Sequence, residues 1–138
     1  MDRSTFCKML VICKRKSGKS TSELCYDMRV LPTSITRIEK AQTNFQMDRC
    51  LSYLNLVGYH IELSGNEIEY VIRSESDIVE YIKNELDGRS RSKVSIDLGC
   101  DRSYLRHIEQ GTHGITIDKF LKFNEIVGCD LYLIKNEP

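Results

Sequence analysis

The sequence predicts a mostly α-helical fold built from two similar units. Each unit is expected to have four helices and a terminal β-strand, and the strands are expected to form a small sheet. Three observations lead to this prediction. The sequence aligns with itself without a gap at an offset of 70 residues. Apolar residues recur at helical spacing in each half, and an alternating apolar pattern follows the last helical segment both times.

The repeat extends through most of each half of the chain. Ile38-Glu39 falls on Ile108-Glu109, and Val57-Gly58 falls on Val127-Gly128. Further identical pairs are Ile12 and Ile82, Gly18 and Gly88, Ser20 and Ser90, Asp48 and Asp118, and Leu51 and Leu121. Chance does not keep such a register, so the chain is interpreted as a tandem duplication. The first unit is expected at 1–72, ending in a β-hairpin, and the second at 73–138, ending in a strand.

Glycine, proline and capping signals set the expected helix boundaries in the first unit. The first helix stops at Gly18, and a capping box of Ser20 and Glu23 opens a second helix that runs through Met28. Pro32 opens a third helix that reaches about Lys40. A fourth helix ends at Gly58.

The second unit repeats these helix-boundary signals. Gly88 closes its first helix, and Ser90 caps its second. Gly99 provides a left-handed turn, Asp101 is expected to cap the third helix, and Gly111 to end it.

Strand patterns follow both fourth helices. The segments "YHIEL" and "CDLYLI" alternate apolar and polar residues, and "SGN" joins "YHIEL" to "EIEYVI" in what resembles a hairpin. A short strand needs neighbours, so a small sheet is expected between the units, formed within the chain, across a dimer, or both.

Composition and charge indicate an ordinary globular protein. The formal net charge is zero, but residues 1–40 carry nine Lys and Arg against four Asp and Glu. No apolar run is long enough to span a bilayer and no secretory signal is evident, so a cytoplasmic protein without a membrane partner is expected. The six cysteines are expected as free residues of the core, and His60 and His113 at the surface.

The sequence offers little that suggests an enzyme. It has no Gly-rich phosphate loop, HExxH motif or nucleophile elbow. Its three histidines have no Asp or Cys at the spacings typical of a catalytic triad or a metal site. Catalytic residues, a cofactor and a metal site are therefore not expected.

The segments "TSELCYDMRVLPTSITRIEKA" and "RSKVSIDLGCDRSYLRHIEQG" resemble the lambda-repressor-like (Xre-type) helix-turn-helix family. The resemblance covers about 10–63 and 80–133 and implies two tandem units of that fold. The strand after the fourth helix is similar to antitoxin-type repressors, in which such strands pair subunits.

The resemblance also implies which residues meet DNA. Those expected to read bases in the major groove are Thr33, Ser34, Thr36 and Arg37 in the first unit, and Arg102, Ser103, Tyr104, Arg106 and His107 in the second. Those expected at phosphates are Lys19, Ser20, Thr21, Gln42 and Thr43 in the first unit, and Arg89, Ser90, Arg91 and Thr112 in the second.

Structural roles follow from the same resemblance. Glu39 is expected to pair with Lys14, whereas Glu109 would face Asn84. Arg29 stands where the family's turn has glycine and Ala41 where its helix ends in glycine, so an altered turn is expected in the first unit.

The predicted function is sequence-specific binding of double-stranded DNA by a transcriptional regulator, a repressor, whose two helix-turn-helix units act as a pseudo-dimer. The alternative is a protein-binding module, such as a toxin-neutralising antitoxin, whose DNA face is partly degenerate. A homodimer formed through the β-strands, and a toxin or other protein partner, stay open.

Overall fold

The computed structural model describes residues 1–138 as eight α-helices and one three-stranded antiparallel sheet, with 56% of the residues in helices. The helices are α1 (Arg3–Ser17), α2 (Thr21–Met28), α3 (Pro32–Glu39), α4 (Met47–Val57), α5 (Glu75–Glu85), α6 (Arg91–Asp97), α7 (Tyr104–Glu109) and α8 (Ile117–Val127). The strands are β1 (Tyr59–Gly65), β2 (Ile68–Ile72) and β3 (Asp130–Lys135).

The element order repeats as the 70-residue offset predicts. Helix α4 and helix α8 have equivalent bounds, and the other helices of the two halves correspond within a few residues at each end. No helix combines the length and apolar character that crossing a membrane would require. The general architecture of helices with a small sheet is confirmed, and the assignment to tandem helix-turn-helix units stays a prediction.

The helix ends in the first unit follow the predicted signals. Ser20 accepts a hydrogen bond from the backbone N–H of Glu23, whose side chain accepts one from the Ser20 N–H, and together they form the predicted capping box. Pro32 occupies the first turn of α3, and Gly58 adopts the left-handed conformation at the end of α4.

The first turn is not altered, contrary to expectation. Arg29 and Ala41 adopt φ of 56° and 55°, the same left-handed region as their equivalents Gly99 and Gly111 at 78° and 75°. The surrounding helices therefore impose the same backbone path in both units, and the first unit adopts it without glycine.

Two helix boundaries in the second unit were predicted wrongly. The helix α5 ends at Glu85, three residues before Gly88. Asp101 does not cap α7, because a turn intervenes and the helix begins only after Ser103. In that turn the Tyr104 N–H donates to the Asp101 carbonyl, and the Asp101 carboxylate accepts from the Arg102 N–H.

The sheet forms within the chain, in the order β2-β1-β3. The predicted hairpin joins β1 to β2, and Asn66 and Glu67 at its turn both have positive φ. The Ile61 and Leu63 side chains lie on the buried face, so the sheet closes one side of the core.

A single hydrophobic cluster of 35 buried residues draws on both halves of the chain. The link between β2 and α5 follows Ile72, and the two halves share this core. All six cysteines are free, and five of them are buried as predicted; Cys100 is partly exposed.

The expectation of a surface position was wrong for His60, which is only 6% exposed. Its ring nitrogens lie 2.6 Å from Asn136 Oδ1 and 2.7 Å from Glu62 Oε2. The pairing of β3 beside β1 brings Asn136 over this histidine, and sequence spacing alone does not reveal that arrangement. His113 is exposed, as expected.

Removing the glycine at the left-handed turn of the second unit, and introducing one at the equivalent position of the first, tests how much the positive φ of a non-glycine residue costs in stability. We expect Gly99→Ala to destabilise the protein by about 1 kcal/mol, because its Cβ would meet only ordinary contacts and the penalty is conformational. Arg29→Gly should stabilise it by roughly 0.5 kcal/mol, since relief of strain exceeds the entropy that glycine adds to the unfolded chain.

Urea unfolding of both variants measures these changes as shifts in midpoint at constant slope. Destabilisation by Arg29→Gly as large as that by Gly99→Ala would show that Arg29 contributes more through its side chain than it loses through its backbone.

Candidate nucleic-acid interface

The two halves of the chain meet through equivalent segments, which we call the dyad contact (Phe45–Met47 and Ile115–Ile117). Gln46 forms an antiparallel bridge with Thr116, the residue 70 positions later. The Met47 N–H donates to the Ile115 carbonyl at 2.9 Å, and the Ile117 N–H donates to the Phe45 carbonyl at 2.8 Å. Each hydrogen bond is the repeat-related copy of the other, as an approximate two-fold axis requires.

The sheet obeys the same symmetry. Glu62 pairs with Tyr132, again 70 positions later, and the flanking pairs Ile61–Leu133 and Leu63–Leu131 are copies of each other. The approximate axis therefore passes through the dyad contact and through the β1–β3 ladder.

Two grooves flank the dyad contact and are equivalent under the repeat. The first groove is bordered by α3 and the loop after it, with Ser34, Arg37, Thr43 and Arg49 among its lining residues. The second is bordered by α7 and the loop after it, with Tyr104, Thr112, His113 and Lys119 among its lining residues. Asn44 and Gln46 line both grooves, so α3 and α7 border one continuous surface.

The single carboxylate of α3 is turned away from this surface. Glu39 accepts from Lys14 Nζ at 2.7 Å and from the Tyr53 hydroxyl at 2.6 Å, with only 14% of its side chain exposed. The predicted Glu39–Lys14 pair is thus confirmed. Burial, followed by the Glu39 hydrogen bond, raises the pKa of Tyr53, so its hydroxyl remains a donor to this carboxylate.

The prediction for Glu109 was wrong. It makes no hydrogen bond with Asn84 and instead accepts two from Arg91, of 2.7 and 2.9 Å. These bonds to Glu109 raise the pKa of the Arg91 guanidinium. Arg91 begins α6, seven residues after Asn84, and its long side chain reaches the carboxylate that the uncharged Asn84 cannot neutralise.

The predicted base-reading residues all retain exposed area. Thr33, Arg37, Arg102 and Arg106 are exposed, and Ser34, Thr36, Ser103, Tyr104 and His107 are partly buried. The three arginines have no carboxylate within ion-pair distance. Arg102 and Ser103 lie in the turn before α7 rather than on the helix.

Tyr104 packs partly against the core, and this burial raises the pKa of its phenol to about 12. The hydroxyl therefore stays protonated at neutral pH. His107 lies edge-on to His113, with ring centroids 5.1 Å apart, so the two imidazoles form a local cluster beside the second groove.

Several predicted phosphate contacts already have partners in the protein. Arg91 is paired with Glu109, Lys19 lies 3.8 Å from Asp27, and Thr21 accepts from Lys14 Nζ. Ser20 and Ser90 cap helices, and the Thr112 hydroxyl donates to the His107 carbonyl. The exposed residues Gln42, Thr43 and Arg89 make no such side-chain bond.

Sequence reasoning missed Arg49 and Lys119, the basic residues at the base of the two grooves. They occupy equivalent positions in the repeat, which is the signal that could have identified them. Lys119 Nζ donates to the Leu98 carbonyl at 2.6 Å, whereas Arg49 is exposed and has no ion pair.

Comparison of the chain with models of known protein families, with curated proteins and with solved structures gave no match. The geometry of the grooves is therefore the basis for the functional interpretation.

The two internal pairs should differ in their contribution to stability. We expect Glu39→Gln to cost about 2–3 kcal/mol, because it leaves the largely buried Lys14 ammonium without its counter-ion. Glu109→Gln should cost only about 1 kcal/mol, since the Arg91 side chain is 46% exposed and remains solvated.

Urea unfolding compares the two variants, with Glu137→Gln at an exposed, unpaired position as the control. Equal costs for Glu39→Gln and Glu109→Gln would contradict the distinction drawn from burial.

Proposed function

We propose that this protein is a sequence-specific, double-stranded DNA-binding transcriptional regulator, a repressor, in which α3 and α7 are the recognition helices of a pseudo-dimer. The observation that carries this proposal is the pair of equivalent grooves that meet at Asn44 and Gln46. Because both helices border one surface across an approximate two-fold axis, a single duplex can contact both.

The approximate two-fold relation between the units supports the proposal. Two-fold-related recognition helices bind successive major grooves about one helical turn, roughly 34 Å, apart. The exposed residues differ between the units, with Thr33 and Arg37 in one and Arg102 and Arg106 in the other. The operator is therefore an imperfect palindrome.

Local charge supports the proposal although the net charge is zero. The carboxylates of Glu39 and Glu109 are paired with Lys14 and Arg91, while Arg37 and Arg106 are exposed and have no ion pair. An unpaired arginine can bind guanine through two hydrogen bonds, which contributes about 1–3 kcal/mol to base discrimination. Arg49 adds a free cation at the first groove.

Binding to a DNA duplex selected from a random library tests the proposal. We expect Arg37→Ala and Arg106→Ala each to weaken binding to the selected site by roughly 5- to 100-fold, and the affinity of the natural chain to fall steeply as salt rises. Fluorescence anisotropy over a salt series measures both effects.

Arg73→Ala is the matched control, because the Arg73 side chain is exposed and has no ion pair but follows β2 and lines neither groove. It should leave the affinity within about twofold. A weak, salt-independent response of the natural chain, or equal losses for all three variants, would contradict the proposal.

The alternative, a toxin-neutralising or other protein-binding module, is supported by exposed apolar residues in the first unit. Tyr26 is 84% exposed, and Leu31, which precedes α3, is 71% exposed. A contiguous patch of such side chains would mark a protein-interaction surface. The first turn adds no support to this alternative, because Arg29 and Ala41 adopt the same left-handed backbone as the equivalent glycines.

A further inference from the structure

The sheet is incomplete with respect to the symmetry of the chain. The approximate two-fold axis relates β1 to β3, and β1 has a neighbour on each edge, β2 and β3. The strand β3 has only β1 beside it. The position beside β3 that corresponds to β2 is therefore open.

The open edge presents unpaired backbone groups. The Asn136 N–H donates to the Gly58 carbonyl at 2.8 Å and continues the β1–β3 ladder. Because bonding alternates along an antiparallel strand, the N–H and C=O groups of Leu131, Leu133 and Lys135 point to the open edge. The stretch from Leu131 to Ile134 has no charge or proline, the usual protection of a strand edge.

A cleft of about 600 Å³ lies beside this edge, lined in part by Met1, Leu121, Asn124, Glu125 and Leu131. The residue equivalent to Glu125 in the first unit is Asn55. Its side-chain amide donates to the carbonyl of Arg73, the residue that follows β2. In the first unit, the segment that ends β2 thus lies where the second unit has the cleft.

Asn124, which lines the cleft, carries a buried donor without an acceptor. The side chain is 3% exposed, and its Oδ1 accepts from the Tyr81 hydroxyl at 2.6 Å, but its Nδ2 has no partner. The equivalent residue in the first unit, Leu54, has no side-chain donor that needs an acceptor. Buried polar groups are rarely left unpaired, so this amide indicates a place for an acceptor such as a peptide carbonyl.

We propose that the open edge of β3 binds an extended segment of another protein, which adds to the sheet as a fourth, antiparallel strand. This surface lies outside the grooves assigned to DNA and does not depend on them. Backbone hydrogen bonds to Leu131, Leu133 and Lys135 provide the affinity of this mode, and alternate side chains provide its specificity.

The pairing of β1 with β2 defines the chemistry of the bound segment. Ile61 pairs with Ile72, and Leu63 pairs with Tyr70. By equivalence, the bound strand places an aliphatic residue opposite Leu131 and an aromatic residue opposite Leu133. Glu125 already binds the N-terminal ammonium of Met1 at 2.9 Å, whereas Asp130 has no ion pair. The carboxylate of Asp130 therefore favours a basic residue at the end of the bound strand, as Arg73 follows β2.

A capped heptapeptide with the sequence EIEYVIR, residues 67–73 of the chain, is the probe. We expect its addition to the full-length, ¹⁵N-labelled protein to cause saturable NMR shifts centred on the amides of Leu131, Leu133 and Lys135, and to slow their hydrogen exchange.

Two methylated peptides provide the matched comparison. N-methylation at the tyrosine blocks an N–H that faces β3 and should weaken binding at least tenfold, whereas N-methylation at the valine blocks an N–H that faces away and should change it less than threefold. Equal binding of the two, shifts centred on β1, or protection of β3 that depends on protein concentration without peptide would overturn the proposal; the last result would indicate pairing with a second copy.

Discussion

The contact between each half of the chain and its own duplicate is the constraint on which the rest of the structure depends. At the dyad contact, Met47 and Ile117 donate reciprocal backbone hydrogen bonds. At the sheet, Glu62 pairs with Tyr132. Two separate self-equivalent contacts define one approximate axis, and this axis brings α3 and α7 to the same surface. Within a shared core, the relative position of the two helices is part of the fold and needs no second subunit.

The two units reach similar positions of α3 and α7 through different chemistry. A buried cluster of Lys14, Glu39 and Tyr53 holds α3, whereas an exposed arginine, Arg91, holds α7 through Glu109. Both arrangements neutralise the helix's only carboxylate and leave its outer face cationic or neutral. The residues that support the helix thus differ between the two halves, although the element order and the dyad contact repeat.

Local signals allowed most of the fold to be predicted. The capping box at Ser20, Pro32 at the start of α3, and Gly58 at the end of α4 act within a few residues, so the sequence reveals them directly. The errors arose where distant residues decide the outcome. The Arg91–Glu109 pair and the buried position of His60 depend on packing between elements far apart in the chain. The shared grooves at the dyad contact depend on it as well, so Arg49 was missed.

The distance between α3 and α7 in solution is the most direct test of the shared surface. Spin labels on Thr33→Cys and Arg102→Cys would report this distance by pulsed electron paramagnetic resonance spectroscopy. Cys100→Ser would remove the one native thiol that is partly exposed. A fixed two-fold arrangement suited to a duplex predicts one narrow distribution centred at about 34 Å. A broad distribution, or a centre displaced by more than about half a helical turn of DNA (~17 Å), would contradict it.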